Sequence, residues 1–384
     1  MRRRRDIPRA DAAERHAAIG FGFAEIGGEP YWDETAHWEF TLREIEGGIE
    51  DPTTDLWALC LDLVDRVIAD EKRLARLRIP EHAWDRIAAS RRAGEPSLYG
   101  RFDLSWDGHG PAKLLEFNAD TPTSLFESAV VQWTWLEDGL ARGTLPAGAD
   151  QFNSIHERLI ARLPEVAAGS RLHLTAMTVS PEDTGTVAYL ADCAVAAGLE
   201  AEILDVADIG LLDDRFVDLD ERPIETLFKL YPWEWLFAED FGRSPAMART
   251  RFVEPAWKAI LANKGAMAML WDLAPGHPNL LPTFFDDDPR RDGLSSHAIK
   301  PLFSREGGNV MLVDRGRLLA RSEGSYGAEG SVVQQLAPLA NVDGNHMVIG
   351  SWIVGDAACG IGLREDAGPI TTDRSRFLPH VIVG

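Results

Sequence analysis

Arg101, Asp103, Glu116 and Asn118 are the residues of this chain whose types and spacing most constrain a chemistry. They lie in two stretches, Arg101-Phe102-Asp103 and Glu116-Phe117-Asn118-Ala119-Asp120, on either side of the turn-rich Asp107-Gly108-His109-Gly110-Pro111. Two extended arms around such a break predict a β-hairpin. If Leu104 pairs with Leu115, Arg101 faces Asn118 and Asp103 faces Glu116. Side chains alternate across a strand, so all four then share one face. An arginine, two carboxylates and an amide make poor core material, and their hard oxygens suit Mg²⁺ and the phosphates it bridges. A slip of a single residue would put Asp103 and Glu116 on opposite faces.

A second candidate follows a short apolar strand that ends at Lys300. The loop Pro301-Leu302-Phe303-Ser304-Arg305-Glu306-Gly307-Gly308-Asn309 leads into a new strand. Glycines there let backbone N–H groups approach phosphate, with Lys300 supplying charge, although Gly-Gly between strands is more often only a turn. The GxxxxGK[ST] pattern is absent. Lys264, on an otherwise apolar helix face, either adds a second cation or extends its tip to water.

The elements that must position these groups are legible in outline. Leu56, Leu59, Leu61, Val64, Ile68 and Leu74 recur at helical spacing, so 1–95 is expected to be helical, with Trp32, Trp38, Trp57 and Trp84 mostly in the core. The hairpin and helices over 124–140 and 154–163 occupy 96–165. A strand at 172–177, a helix at 183–198 and a strand at 202–204 form a βαβ unit within 166–225, hence a small parallel sheet. Its first loop, 178–183, ends in Glu182 and Asp183. Loops at the carboxyl ends of parallel strands commonly hold ligands, and helix N-termini also favour carboxylates for their own sake. Beyond 226 come a helix over 254–272 and strands at 298–301, 310–313, 331–336 and 347–354.

Acidic residues number 61 against 39 Lys plus Arg in 384 residues, a formal net charge of −22. Such a surface repels nucleic acid and anionic membranes and attracts a cationic substrate such as a polyamine, although solubility alone accounts for much acidic charge. Cys60, Cys193 and Cys359 are too few and too scattered for a disulfide framework or a zinc site, which predicts a reducing cytoplasm. Arg2 to Arg5 are followed at once by charged residues rather than an apolar stretch, and no segment is long and apolar enough to span a bilayer. A cytoplasmic protein is expected.

Taken in order, Arg101-Phe102-Asp103, Leu115-Glu116-Phe117-Asn118-Ala119-Asp120-Thr121-Pro122, Lys229-Leu230-Tyr231-Pro232-Trp233-Glu234, Asn263-Lys264, Lys300-Pro301, Arg305-Glu306-Gly307, Gly350-Ser351-Trp352 and Ser375-Arg376-Phe377-Leu378-Pro379-His380 resemble the synthetase domain of the glutathionylspermidine synthase family. The likeness runs from about Trp32 to the C-terminus. It implies an α+β (mixed α/β) ATP-grasp fold with a small parallel-sheet subdomain of pre-ATP-grasp type, in one synthetase region without the family's amidase domain. The nucleotide lobes would then fall in 226–384 and the substrate subdomain in 166–225.

The resemblance also implies roles. Asp103, Glu116 and Asn118 correspond to ligands of Mg²⁺, with two ions expected. Arg101 and Arg305 correspond to groups beside the transferred phosphate, and Lys264 and Lys300 to the ATP lysines. Glu306 and Gly307 fall in a loop over the triphosphate, and 304–309 is the candidate lid. Gln334, Gln335, Leu336 and Ala337 match a strand that reads adenine through backbone groups, and Leu363 and Arg364 fall at the edge of the nucleotide site. Thr121, Glu182 and Asp183 correspond to substrate-binding positions, Thr121 standing where the family has a serine. The implied reaction is ATP-dependent amide formation between a glutathione-like peptide or other carboxylate and a cationic amine. Two rival readings are a nucleotide- or polyamine-binding protein without catalysis and a glycoside hydrolase with paired carboxylates. The hydrolase gives no role to Lys264, Lys300 or Gly307-Gly308.

Overall fold

The structure, a computed structural model, describes residues 1–177 and 179–384. Thr178, in the expected 178–183 loop, lies outside the described residues. Three sheets meet around the hairpin. An antiparallel sheet runs Arg376–Leu378, Ala357–Asp366, Asn345–Val354, Tyr99–Ser105, Lys113–Asn118, with Ala340–Val342 paired to Asn345–Val354. A second antiparallel sheet orders Thr283–Phe285, Ser331–Gln335, Ser296–Pro301, Met311–Asp314 and Arg317–Arg321. The third is parallel: Arg251–Val253, Thr226–Lys229, Arg171–Ala176 and Glu200–Asp205. Its βαβ unit, with the Pro181–Ala196 helix, matches the expectation. The sheet also recruits Thr226–Lys229 and Arg251–Val253, so it extends past the expected boundary at 225.

The hairpin register is the predicted one where it matters. Arg101 pairs with Asn118 and Asp103 with Glu116; a bulge then pairs Leu104 with Leu114 rather than Leu115. The extra residue lets the strand twist without moving the four polar side chains to the other face. On the back face Phe102 and Phe117 stack with centroids 3.9 Å apart in the larger hydrophobic core. That apolar back holds the polar front in place.

Two further expectations fail. Residues 1–40 are not helical throughout, because Arg2–Arg5 and Ala36–Phe40 are antiparallel strands. Ala36, Trp38 and Phe40 alternate inward, a period-two signal that the longer helical pattern downstream obscures. Arg3 is stable there because it forms a buried ion pair with Glu365. The 254–272 helix is also broken, into a 3₁₀ segment at Ala256–Ile260 and an α-helix at Gly265–Leu273. Asn263 makes the break: its side chain accepts from the Gly265 N–H and donates to the Leu77 carbonyl.

Two buried lysines pin the elements together. Lys258 Nζ donates to Glu254 Oε2, Ser97 Oγ and the Tyr99 carbonyl, while Glu254 accepts from the N–H groups of Leu98 and Tyr99. Lys229 Nζ donates to Asp120 Oδ1 at 2.7 Å, and Asp120 Oδ2 accepts from the Trp233 N–H. Both pairs lie at the ends of the hairpin strands and fix where they begin and stop. The three cysteines are free and buried. Among the described residues no helix is long and apolar enough to cross a membrane.

Lys258→Met takes the buried Glu254 carboxyl's ion-pair partner away. The variant should lose about 3–5 kcal/mol of stability in chemical denaturation. A loss under about 1 kcal/mol, the surface-pair range, would show that this pair does not anchor the hairpin.

Candidate functional site

Arg101, Asp103, Glu116 and Asn118 line one cavity of about 720 Å³. Lys264 enters from the start of the Gly265–Leu273 helix, Lys300 from Ser296–Pro301 and Arg364 from Ala357–Asp366. Elements far apart in sequence thus deliver three cations to the hairpin face, where they join Arg101. Gly350, opposite Asp103, is needed for this: a Cβ there would lie 2.7 Å from Arg101 Cδ.

Asp103 is the hub. Its Oδ1 accepts from Arg101 Nε at 2.7 Å, and its Oδ2 from Arg364 Nη2 at 2.6 Å and Asn118 Nδ2 at 3.1 Å. Glu116 faces Lys264 at 3.1 Å. Burial works to raise the Glu116 pKa, but Lys264 and then Lys300 outweigh it and hold the carboxyl at about 2. Burial lowers the Lys300 ammonium to about 8, with Glu116 opposing. Lys300 Nζ donates to the Leu115 carbonyl at the bulge and to Gln334 Oε1.

Part of the cavity wall is apolar, lined by Ala298, Val310, Leu312, Leu336 and Ile370. The expected Gln334, Gln335, Leu336 and Ala337 border it. The N–H groups of Gln335 and Leu336 already donate to the Pro282 and Ser296 carbonyls, so these two are not offered to a ligand. Leu363 is placed differently from the expectation: it is fully buried in the core, because it neighbours Arg364 on a strand and points to the opposite face.

Another part of the wall is acidic. Thr121, Glu182, Asp183 and Glu306 line it together with Arg305 and Gly307. Arg305 donates to Thr121 Oγ1 at 2.6 Å and to Glu234 Oε1 at 2.7 Å, while its Nε is buried with no partner among the described residues. Gly307 has φ +68°, and a Cβ would meet the Thr371 carbonyl at 2.4 Å, so this loop position requires glycine. Burial, then Glu182 and Glu306, raise Asp183 to about 6.

Behind Glu182 lies a pair that the sequence reading missed. Tyr31 Oη is 2.7 Å from Glu127 Oε1 and 3.2 Å from Glu182 Oε1. A single phenolic proton cannot serve both carboxylates, so charge and hydrogen-bond balance favour a second proton on one of them. Burial, then Glu182, push Glu127 up to about 8, which assigns that proton to Glu127. Its π-helical segment, Glu127–Val131, interrupts the expected 124–140 helix. The three residues span 151 positions, and no local motif announces such a contact.

The hard-oxygen donors at the hairpin are Asp103, Glu116 and the Asn118 amide. Among the described residues no group of three or more His, Cys, Asp or Glu is arranged to hold a metal ion. The donor types fit Mg²⁺, which uses few protein ligands where phosphate supplies the rest.

A family model described as glutathionylspermidine synthase preATP-grasp matches residues 3–383. A Haemophilus influenzae protein provisionally named an acid–amine ligase is 43% identical, the match covering 98% of each chain. Trypanothione synthetase of Crithidia fasciculata is 29% identical over 88% of this chain, which spans 55% of that enzyme. Among solved structures, the apo form of a glutathione synthetase-like effector from Globodera pallida superposes with a TM-score of 0.52 at 10% identity, covering 90% and 89% of the two chains. The last likeness shows the fold alone, a mixed α/β fold of the glutathione synthetase and ATP-grasp type.

The Glu127 proton has a consequence for stability. Its folded pKa of about 8 lies above the ordinary 4.5, so the native state holds a proton that the unfolded chain releases. Stability should therefore fall as pH rises from about 4.5 to 8. Glu127→Gln removes that penalty, so its melting temperature relative to wild type should rise between pH 5 and 8.5. A difference that is flat with pH would place the proton elsewhere.

Proposed function

Because the chain belongs to the glutathionylspermidine synthase preATP-grasp family, and is by that kinship an amide-forming acid–amine ligase, we propose that it is driven by ATP with Mg²⁺ and joins a glutathione-like peptide, or a related carboxylate, to a cationic amine. One observation carries this reading. A cationic face, an apolar slot and an acidic corner share one cavity.

The apolar slot by Gln334 to Ala337 suits a flat base. Arg101, Lys264, Lys300 and Arg364 then meet the phosphates. Asp103, Glu116 and Asn118 would hold Mg²⁺, which supplies charge neutralisation across phosphate oxygens. The γ-phosphoryl passes to the substrate carboxylate, ADP leaves, and the amine displaces phosphate from the acyl phosphate to form the amide. The protein's part is to orient the reactants and to stabilise charge on the transferred group, with Arg101 and Arg305 nearest to that task. Glu182 and Asp183 hold the amine's ammonium groups. A reducing, cytoplasmic setting is consistent with three free thiols.

The test is phosphate release from Mg-ATP with a panel of peptides and polyamines. Release should require a carboxylate and an amine together. Stimulation by an amine alone, or by none of the panel while ATP does not bind, would overturn the reading. Glu182→Gln with Asp183→Asn should raise the amine KM by about tenfold or more while kcat changes by less than about threefold. An unchanged KM would remove the acidic corner from amine binding.

A further inference from the structure

Asp103 and Glu116 are the carboxylates that a divalent cation would need, and both are already taken. Arg101 holds Asp103 through Nε and Nη2, and Arg364 adds a 2.6 Å contact to the same Oδ2. The Asn118 amide turns Nδ2, not its oxygen, toward Asp103. Lys264 sits 3.1 Å from Glu116 Oε2. A metal approaching this face meets N–H groups where it requires oxygen. Glu182, the next carboxylate along the wall, accepts from Tyr31.

The charge count points the same way. Arg101, Lys264, Lys300 and Arg364 present four cations to Asp103 and Glu116, while Glu182, Asp183 and Glu306 with Arg305 bring the whole lining to neutrality. A bare cation gains no net attraction from this cavity, whereas a polyanion meets four cations at the hairpin. Triphosphate oxygens can compete for the guanidinium and ammonium groups, since charge-assisted bonds to phosphate match those to carboxylate. As the cations turn to phosphate, Asp103 and Glu116 lose their neutralising partners, and the Asn118 amide can flip. Only then do three hard oxygens face a site for a cation.

Resting on the reading of this cavity as a nucleotide site, we infer that it binds polyphosphate without metal, and that the divalent cation enters second, after the polyphosphate has drawn the cations from Asp103 and Glu116. The two ligands are then linked, each tightening the other by the same factor. Asp103 is the residue that sets this order, because it competes with phosphate for both arginines.

Titration calorimetry on the full chain tests the order with four additions: MgCl₂ alone, tripolyphosphate with EDTA, tripolyphosphate with Mg²⁺, and Mg-ATP. Tripolyphosphate with EDTA should bind saturably, and MgCl₂ alone should not. Asp103→Asn, checked for folding by its melting temperature, should bind metal-free tripolyphosphate about tenfold more tightly, since one competing carboxylate is gone. Saturable binding of MgCl₂ alone would overturn the inference. So would silence of metal-free tripolyphosphate beside clear Mg-ATP binding, and that result would leave the ligase reading intact. If neither Mg-ATP nor either form of tripolyphosphate binds, the nucleotide site itself falls, and this inference with it. The wild-type additions decide the matter even if the variant fails to fold.

Discussion

Asp103 between Arg101 and Arg364 is the interaction on which the site depends. A carboxylate and two guanidiniums can share a water-poor face only when each neutralises the other. The hairpin register sets that meeting, and the register is held by the stacked Phe102 and Phe117 on the reverse side. Gly350 leaves the space in which Arg101 lies flat against the neighbouring strand. Replace any of these and the charges no longer balance at one point.

The remaining architecture fixes this point in three dimensions. Glu254 and Lys258 hold the entry of the first hairpin strand, and Asp120 and Lys229 hold the exit of the second. The second antiparallel sheet contributes Lys300 and the apolar slot, and the parallel sheet contributes the helix that begins with Glu182 and Asp183. A cavity at the junction of three sheets can combine a cationic face, an apolar slot and an acidic corner, because elements of all three sheets line it. That combination matches a reaction that must gather a nucleotide, a carboxylate and a cationic amine.

The sequence disclosed the site better than the fold around it. The mixed charges of Arg101, Asp103, Glu116 and Asn118 are local and lie on two adjacent strands, so alternation alone placed them on one face. Lys300 and the Arg305 to Gly307 loop were legible as a cation followed by a close-approach turn, and both line the same cavity. The strands at Arg2–Arg5 and Ala36–Phe40 were not, since Arg3 is explained only by Glu365, a residue 362 positions away. The break at Asn263 depends on the Leu77 carbonyl, and the Tyr31, Glu127 and Glu182 cluster draws on three separate elements. Leu363 was misplaced by the converse error: a pair of neighbours was assigned to one site although strand geometry allows only one of them to face it. Local chemistry survives in a sequence; partners chosen by tertiary packing do not.

The central claim is that the cationic hairpin face receives the phosphates of a nucleotide. Its most direct measurement is the affinity of Mg-ATP for wild type and for Lys300→Met, whose side chain keeps the bulk of lysine without its charge. The account predicts saturable binding to wild type, weakened about tenfold or more in the variant with the melting temperature of the free protein little changed. Equal affinity in the two proteins would contradict it, because the phosphates would then have to lie elsewhere than on this face.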